Sequence, residues 1–416
     1  MRGTTADVIV IGAGAVGASV AYELTRAGAR VTVVDAAERV GDGCSAANAG
    51  LLTPSHVEPL ANPANVMAGL RSLSQPAGPF AMKPRPHLLP WMLQFLTAVR
   101  PRQIALRAAR LKELAGRSLE MHEEYAKSGL ETGFVRSGVL DVYVTTKRFA
   151  RVRAALPDSG CVRALDPDDV RRWAPSLGAL AGAVLHPDEA HCDGRRFVEA
   201  VCAAAGERGA QFRLGTKVTR VLTESGRALG VETDKGRLSA DHVVVAGGMG
   251  GGSLARTAGC RLPLQAGKGY AIDVATSGGH PDIPVSFKEM RIVATPYPDR
   301  LRVCGTFELT GADHSINRRR MTGVLDGVRA ALPGLAVNDV VEARAGLRPC
   351  SPDGLPYVGR TRMAENLVFA AGHGMWGLTL GPVTGELVTR GIVDGAPTLH
   401  EAALSPDRFG RLNGKR

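Results

Sequence analysis

Arg348 stands between a leucine and a proline in GLRPCSPDG, Gly346 to Gly354, a stretch otherwise rich in turn formers. A guanidinium is a permanent cation whose planar fork matches a two-oxygen anion, and a following proline stiffens the backbone that aims it. The stretch therefore asks which anion Arg348 faces. A second group suited to chemistry is GAGAVG, Gly12 to Gly17, followed about 20 residues later by Asp35. Each glycine has a task there. Gly12 permits a tight turn, Gly14 lets backbone approach a pyrophosphate, and Gly17 lets a helix pack closely on a strand. The phosphates then meet a positive helix end. A carboxylate at Asp35 accepts from a ribose 2′-hydroxyl, which favours FAD or NAD over NADP. The dinucleotide-contact candidates are Gly12, Gly14, Ala15, Val16 and Gly17, with Asp35, Ala36 and Ala37.

The elements that must position these groups are legible around them. DVIVI, Asp7 to Ile11, reads as a buried parallel strand. The segment after the glycines has helical period at Val16, Val20 and Leu24 and stops at Gly28; RVTVVD is a second strand ending at Asp35. GDGCSAANAGLL lacks either period and offers amides and short side chains, Ser45, Asn48, Ala49, Gly50 and Leu51, to something flat and polar. Lys217 to Gly247 predicts a β-meander, with Val218 at its start, returning to the parallel sheet in a strand that ends on the small residues Ala246 and Gly247. Near the C-terminus NLVFAAGHGMWGLTLGPVTG predicts a strand, a glycine-spaced loop and a helix from about Gly381 to Thr384, a second anion-tolerant helix start. Its candidates are Gly372, Gly374, Met375, Trp376, Gly377, Leu378 and Thr379. A nicotinamide enzyme has no need of this closing loop, whereas a flavin held along its length does.

The bulk numbers bound the reading. With 416 residues, 44% hydrophobic and 22% charged, the chain is globular and long enough for two domains. Net charge is +11, but the basic residues are scattered and aromatics are only 5%, so no nucleic-acid platform is expected. Seven cysteines without CxxC or Cys/His spacing give no support to a zinc or iron–sulfur site, so no metal is expected, and the odd count fits a reducing compartment. MRGTTAD lacks signal-peptide character, and a cytoplasmic location is expected. LLPWMLQFLTAV, Leu88 to Val99, is too short to span a bilayer; it reads as a packed helix, or as one lying at a membrane surface with Arg85, Arg100 and Arg102 beside it. Arg107 to Lys127 predicts a helix with a solvated charged face, Arg195 to Gly206 another helix, and Gly138 to Thr146 a strand with an exposed face. The proline-rich stretch 76–90 reads as an ordered loop over the site.

VIVIGAGAVGASVAYEL with Asp35, SAANAGLLTPSH, GKGYAI at Gly267 to Ile272, GLRPCSPDGLPYVG and GHGMWGLTLGP together resemble the FAD-dependent D-amino acid oxidase superfamily, in particular its D-amino acid dehydrogenase small-subunit-like branch. The resemblance covers essentially the whole chain. It implies an α/β fold: a glutathione-reductase-like Rossmann FAD-binding domain of residues 1–55, 188–262 and 345–416, interrupted by a substrate domain of residues 56–187 and 263–344 on a mixed, mostly antiparallel sheet. It implies that Arg348 holds a substrate carboxylate, that Tyr270 with Lys268 beside it lies near the substrate, and that His373 and His56 follow by proximity to the flavin loops. Trp376 stands where sarcosine-oxidase-type relatives carry an oxygen-assisting lysine, which points to a dehydrogenase with a quinone or electron-transfer acceptor. Cys350 does not match their flavin-attachment spacing, so FAD is expected to be noncovalent. The expected reaction is oxidation of the C–N bond of a small D-amino or cyclic imino acid, of the D-proline or hydroxy-D-proline type. A glycine- or sarcosine-type oxidase is the near alternative. A noncatalytic flavin-binding partner subunit, and a nucleic-acid or membrane-surface module, are the readings from other classes.

Overall fold

A computed structural model describes residues 6–72, 80–82, 85–157, 161–276, 280–309, 311–335 and 340–410. Residues 76–79 and 83–84 of the proline-rich stretch 76–90 lie outside the described residues. Two sheets dominate. The first has six strands in the order Tyr357–Thr361, Ala364–Ala371, His242–Val245, Asp7–Ile11, Arg30–Val34 and Gln211–Arg213. All neighbours are parallel except the Tyr357–Thr361 edge. Strands covered on both faces must be apolar along their length, and Val8, Val10, Val33, Val243, Val244 and Val245 are fully buried. Helices Ala15–Arg26, Gly194–Glu207 and Gly381–Ile392 cover one face. The three-stranded meander Val218–Glu224, Arg227–Thr233 and Gly236–Ser239 covers the other with helix Gly251–Thr257.

The second sheet has nine strands and is mixed, with Gln265–Ala275 antiparallel between Val340–Cys350 and Arg300–Leu309. Helix Arg318–Ala331 packs on one of its faces through Val324, Leu325 and Val328. The strand carrying Arg348 belongs to this sheet, so the expected domain boundary at 345 cuts through a strand; a boundary after Cys350 follows the hydrogen bonding.

Local expectations were met at the long helices, which run Pro101–Lys127 and Gly194–Glu207, the latter capped by Asp193, whose carboxylate accepts from the Arg195 and Arg196 amides. The strand expected to show an exposed face differs. Val139–Tyr143 is buried at all five positions because it lies inside the nine-stranded sheet, between Val285–Phe287 and Gly182–His186. That burial includes the carboxylate of Asp141.

Candidate functional site

The glycine turn is built as its spacing requires. Gly12 has φ +108, and a Cβ there would come 2.6 Å from the Ala246 carbonyl oxygen, while one on Gly17 would be driven into the Gly12 carbonyl. Gly14 caps helix Ala15–Arg26 without a side-chain bond and no acid stands in the first turn; among the described residues the helix's first amide, Ala15 N, donates to the Ser45 hydroxyl at 3.0 Å. The Asp35 carboxylate accepts from the amides of Ala13 at 2.6 Å and Ala37 at 2.8 Å, which hold it against the turn. A helix end with no anionic cap beside a fixed carboxylate fits a dinucleotide's diphosphate and ribose.

Two further loops converge on this turn. Asn48 Oδ1 accepts from the Gly50 amide, and Gly50, at φ +80, lies where a Cβ would enter the Tyr297 hydroxyl. Thr379 Oγ1 donates to the Leu51 carbonyl at 3.2 Å, and a Cβ on Gly377 would touch both His373 and Val16. Ala49 is tied to the nine-stranded sheet by Thr295 Oγ1, and Val218 begins the meander just after Thr216, whose amide bonds the Asp35 carbonyl. Ala36 lies in the turn between Asp35 and Ala37; Gly247 follows Ala246 out of its strand; Gly372 has φ +74 and Gly374 φ +56. Met375 is exposed and Leu378 buried. The glycines at 381 and 385 have another purpose: a Cβ on Gly385 would come 2.6 Å from the Ser19 carbonyl, so they let helix Gly381–Ile392 lie against helix Ala15–Arg26.

Arg348 is half-buried, in a setting different from that of the fully buried Arg302. Its register partner is Gly267, which puts its side chain on the sheet face shared by Gly267, Gly269 and Ala271, facing the loop of Cys44 and Ala47. The guanidinium lies directly over Gly269, where a Cβ would collide with it, and 5.7 Å from the Phe307 ring centroid. Nη1 donates to the Thr306 carbonyl at 3.1 Å. Among the described residues no carboxylate pairs with it. The Thr306 carbonyl is aimed by a bulge: Lys268 faces Glu308 while Tyr270 faces Gly305, and Thr306 takes φ +66 in the extra space. A β-branched residue there is strained, a feature that clusters at functional sites. Gly269→Ala is expected to push the guanidinium aside and weaken carboxylate binding by about 10²-fold while the flavin spectrum is retained; spectral titration with a small carboxylate checks it.

The same register separates the other candidates from Arg348. Tyr270 and Lys268 alternate onto the opposite face. There the Tyr270 hydroxyl accepts from the Asn317 amide at 3.1 Å, at the start of helix Arg318–Ala331, and burial with the Glu308 carboxylate pushes its phenol up to about 12. The Lys268 ammonium, 4% exposed, donates to Asp313 at 3.2 Å and the Ser315 carbonyl at 3.0 Å. His373 is bridged through its main chain to Cys350, and its Nε2 meets Thr384 Oγ1 at 3.0 Å. His56 turns to Asp141, 2.8 Å from Nε2, and shares none of its hydrogen bonds with the Arg348 face. Burial pushes the Cys350 thiol up to about 12, Arg348 opposing, so it is a neutral thiol.

Sequence reasoning missed Thr306, Phe307 and the ion network of Arg302 and Asp273, whose roles depend on strand pairing. Gly269 lies within the GKGYAI motif and carried the signal. A small cavity of ≈ 20 Å³ joins Phe307 and Cys350 to Gly372 and Trp376 of the C-terminal loop. A larger one of ≈ 250 Å³, between Gly133, Asp193 and Tyr297, is lined by none of the residues singled out from sequence.

Burial lowers His373 to about 3 and His122, whose Nε2 meets the Leu378 carbonyl, to about 4. Both are neutral in the folded chain and near 6.5 when unfolded, so the unfolded state binds more protons between these values and stability is lost as pH falls from 6.5 toward 4. Thermal unfolding midpoints should fall progressively across that window.

The chain matches the FAD dependent oxidoreductase family over residues 7–390. It is 33% identical to the D-amino acid dehydrogenase of Paramagnetospirillum magneticum over 97% of this chain and 98% of that one. Among solved structures, iminodiacetate oxidase from Chelativorans sp. BNC1 superposes with TM-score 0.71 at 27% identity, covering 94% of this chain and 96% of that one. Glycine oxidase from Bacillus cereus superposes with TM-score 0.74 at 22% identity, over 94% and 98%, a likeness of fold. The turn that suits a dinucleotide and the similarity along nearly the whole length agree: this chain belongs to the FAD dependent oxidoreductase family.

Proposed function

We propose that the chain oxidises the C–N bond of a small D-amino or cyclic imino acid, of the D-proline or hydroxy-D-proline type, to an imine that water hydrolyses to the 2-oxo acid. The observation that carries this reading is Arg348, a half-buried guanidinium braced by Gly269, Thr306 and Phe307 and paired with no carboxylate among the described residues. The more deeply buried Arg302 has its counter-ion, Asp273, within the chain, whereas Arg348 is held beneath the Cys44 and Ala47 loop with none among the described residues. Arg348 instead offers its fork to a substrate carboxylate, and fixing that end restricts where the substrate's Cα–H bond can point. Bound flavin supplies the two-electron acceptor. No side chain on the Arg348 face is assigned as base: Tyr270 and Lys268 are on the other face, His56 is engaged by Asp141, and burial that lowers His373 to about 3 makes its imidazole too weak a proton acceptor. The amine therefore gives its proton to solvent and reacts in its neutral form.

The name shared by the curated relatives supports a D-amino acid substrate, and Trp376 in place of an oxygen-assisting lysine supports a quinone or electron-transfer acceptor. Anaerobic mixing of the yellow protein with D- and L-amino and imino acids tests the proposal. Bleaching by D-forms alone, with turnover only when a dye or quinone is added, supports it. Stoichiometric peroxide in air would point to a glycine- or sarcosine-type oxidase, and no bleaching by any amino acid to a flavin-binding partner subunit.

The acceptor reading extends to location, in the cytoplasm against the inner face of a membrane. Among the described residues no helix is long and apolar enough to cross a membrane. Helix Leu89–Ala98 buries Trp91, Phe95 and Ala98 while Leu89, Leu93 and Leu96 are 62%, 64% and 49% exposed. Their spacing puts them on one face, with Arg85, Arg100 and Arg102 exposed nearby. Such a face suits an anionic bilayer surface. Anionic vesicles should carry the wild type upward in a flotation gradient, and Leu93→Glu should reduce the bound fraction severalfold; equal flotation of both would remove the contact.

A further inference from the structure

Outside the Arg348 face, the chain folds two histidines and two acids into one cluster at a junction of sheets. His56 follows the strand Leu51–Leu52; His186 ends the strand Gly182–His186; Glu189 lies in the turn before Ala190–His191, which pairs with Leu51–Leu52. One nitrogen from each histidine and one Glu189 oxygen lie within 4.8 Å of one another. The two rings are 4.5 Å apart between centroids.

The orientation of both rings is set from behind. Nε2 of His56 lies 2.8 Å, and Nε2 of His186 3.5 Å, from the same oxygen, Asp141 Oδ2, which also takes Lys288 Nζ at 3.1 Å. A histidine whose one N–H goes to a carboxylate presents its other nitrogen as a lone pair, the outer-shell arrangement of metal-binding histidines. Both Nδ1 atoms then point at one group, Ser55 Oγ, each at 3.2 Å. A hydroxyl has one hydrogen and satisfies one lone pair, so the second Nδ1 is left short of a positive partner. Glu189 adds to the deficit: Oε1 accepts from the Ser55 amide at 2.9 Å, while Oε2 is buried with no hydrogen-bond partner. Glu189 is 5% exposed overall. Both Nδ1 atoms meet at exposed Ser55, whose amide is held by Glu189, and one nitrogen of each histidine and one Glu189 oxygen lie close enough to share an ion, with an approach from solvent at the serine.

We propose that His56, His186 and Glu189 form a binding site for one divalent transition-metal ion of the zinc class. Two imidazole nitrogens and a carboxylate oxygen suit that class, and hard cations such as magnesium prefer all-oxygen sets. Asp141 orients the ligands. The ion would clip the loop Pro54–His56, which continues from the Ser45–Leu51 segment, to the strand Gly182–His186 and to Glu189 just before Ala190–His191.

The test uses flavin-loaded full-length protein stripped with a chelator and titrated with zinc, bound metal being counted per chain after gel filtration. One equivalent is expected for the wild type. His186→Gln and Glu189→Gln, each checked by a retained flavin spectrum, should bind at least tenfold more weakly, and His314→Gln, an exposed histidine elsewhere, should bind as wild type. X-ray absorption at the zinc edge needs no variant and should show a nitrogen and oxygen shell near about 2.0–2.1 Å. Binding below half an equivalent, unchanged binding by both site variants, equal loss in His314→Gln, or a sulfur shell would each overturn the assignment.

Discussion

Arg348→Ala is expected to raise the amino acid concentration that half-saturates flavin reduction by about 10²–10³-fold, as loss of a two-point charged contact worth roughly 3–4 kcal/mol requires. The fold should survive, because the guanidinium makes no ion pair among the described residues and a single bond to the Thr306 carbonyl. Arg348→Lys should fall between, since an ammonium keeps the charge and loses the fork. Stopped-flow reduction under nitrogen checks both; half-saturation within threefold of wild type in the alanine variant would remove Arg348 from the carboxylate position.

Asp273→Ala should cost the fold more stability than loss of Arg348 does. Asp273 holds Arg302 bidentately at 2.7 Å and 2.7 Å, and Arg302, 2% exposed, reaches on to the carbonyls of Ala46 at 3.0 Å and Asn48 at 3.3 Å. Asp273 also takes Arg300 at 3.1 Å, and Arg300 pairs with Asp193, the cap of helix Gly194–Glu207. Removing the carboxylate strands a buried guanidinium at a cost of about 3–5 kcal/mol. At this chain length that lowers the unfolding midpoint by about 3–6 °C, and the flavin should be released more readily because the Ala46 to Asn48 loop loses its tether. The double variant Asp273→Leu with Arg302→Met should recover much of the midpoint, since no unpaired charge remains. Equal midpoints for Asp273→Ala and the double variant would mean the network acts through packing.

What could be read from the chain divides along a physical line. The first strand, turn and helix were legible because their determinants are local: Gly12, Gly14 and Gly17 and the apolar run before them act on neighbours within a few residues. Arg348 stood out as a candidate because an arginine among turn formers in a motif is unusual at any register, and its carboxylate role remains part of the proposal. Tyr270 and Lys268 were set beside it by the motif GKGYAI, yet a strand alternates faces, and which face meets the Cys44 to Asn48 loop is decided by pairing with Val340–Cys350. That pairing is nonlocal and leaves no mark on the six residues. The same holds for Gly381 and Gly385, whose partner is Ser19 on a distant helix. It holds also for His56, which ends the SAANAGLLTPSH motif but draws its company from positions 141, 186 and 189.

The measurement that bears most directly on the central claim is the flavin absorption change on titrating the oxidised protein with a small carboxylate that has no α-hydrogen, such as benzoate, in wild type and Arg348→Met. The account predicts a saturable perturbation in the wild type, and affinity about 10²-fold weaker or more in the variant. Equal affinity in the two proteins would contradict it.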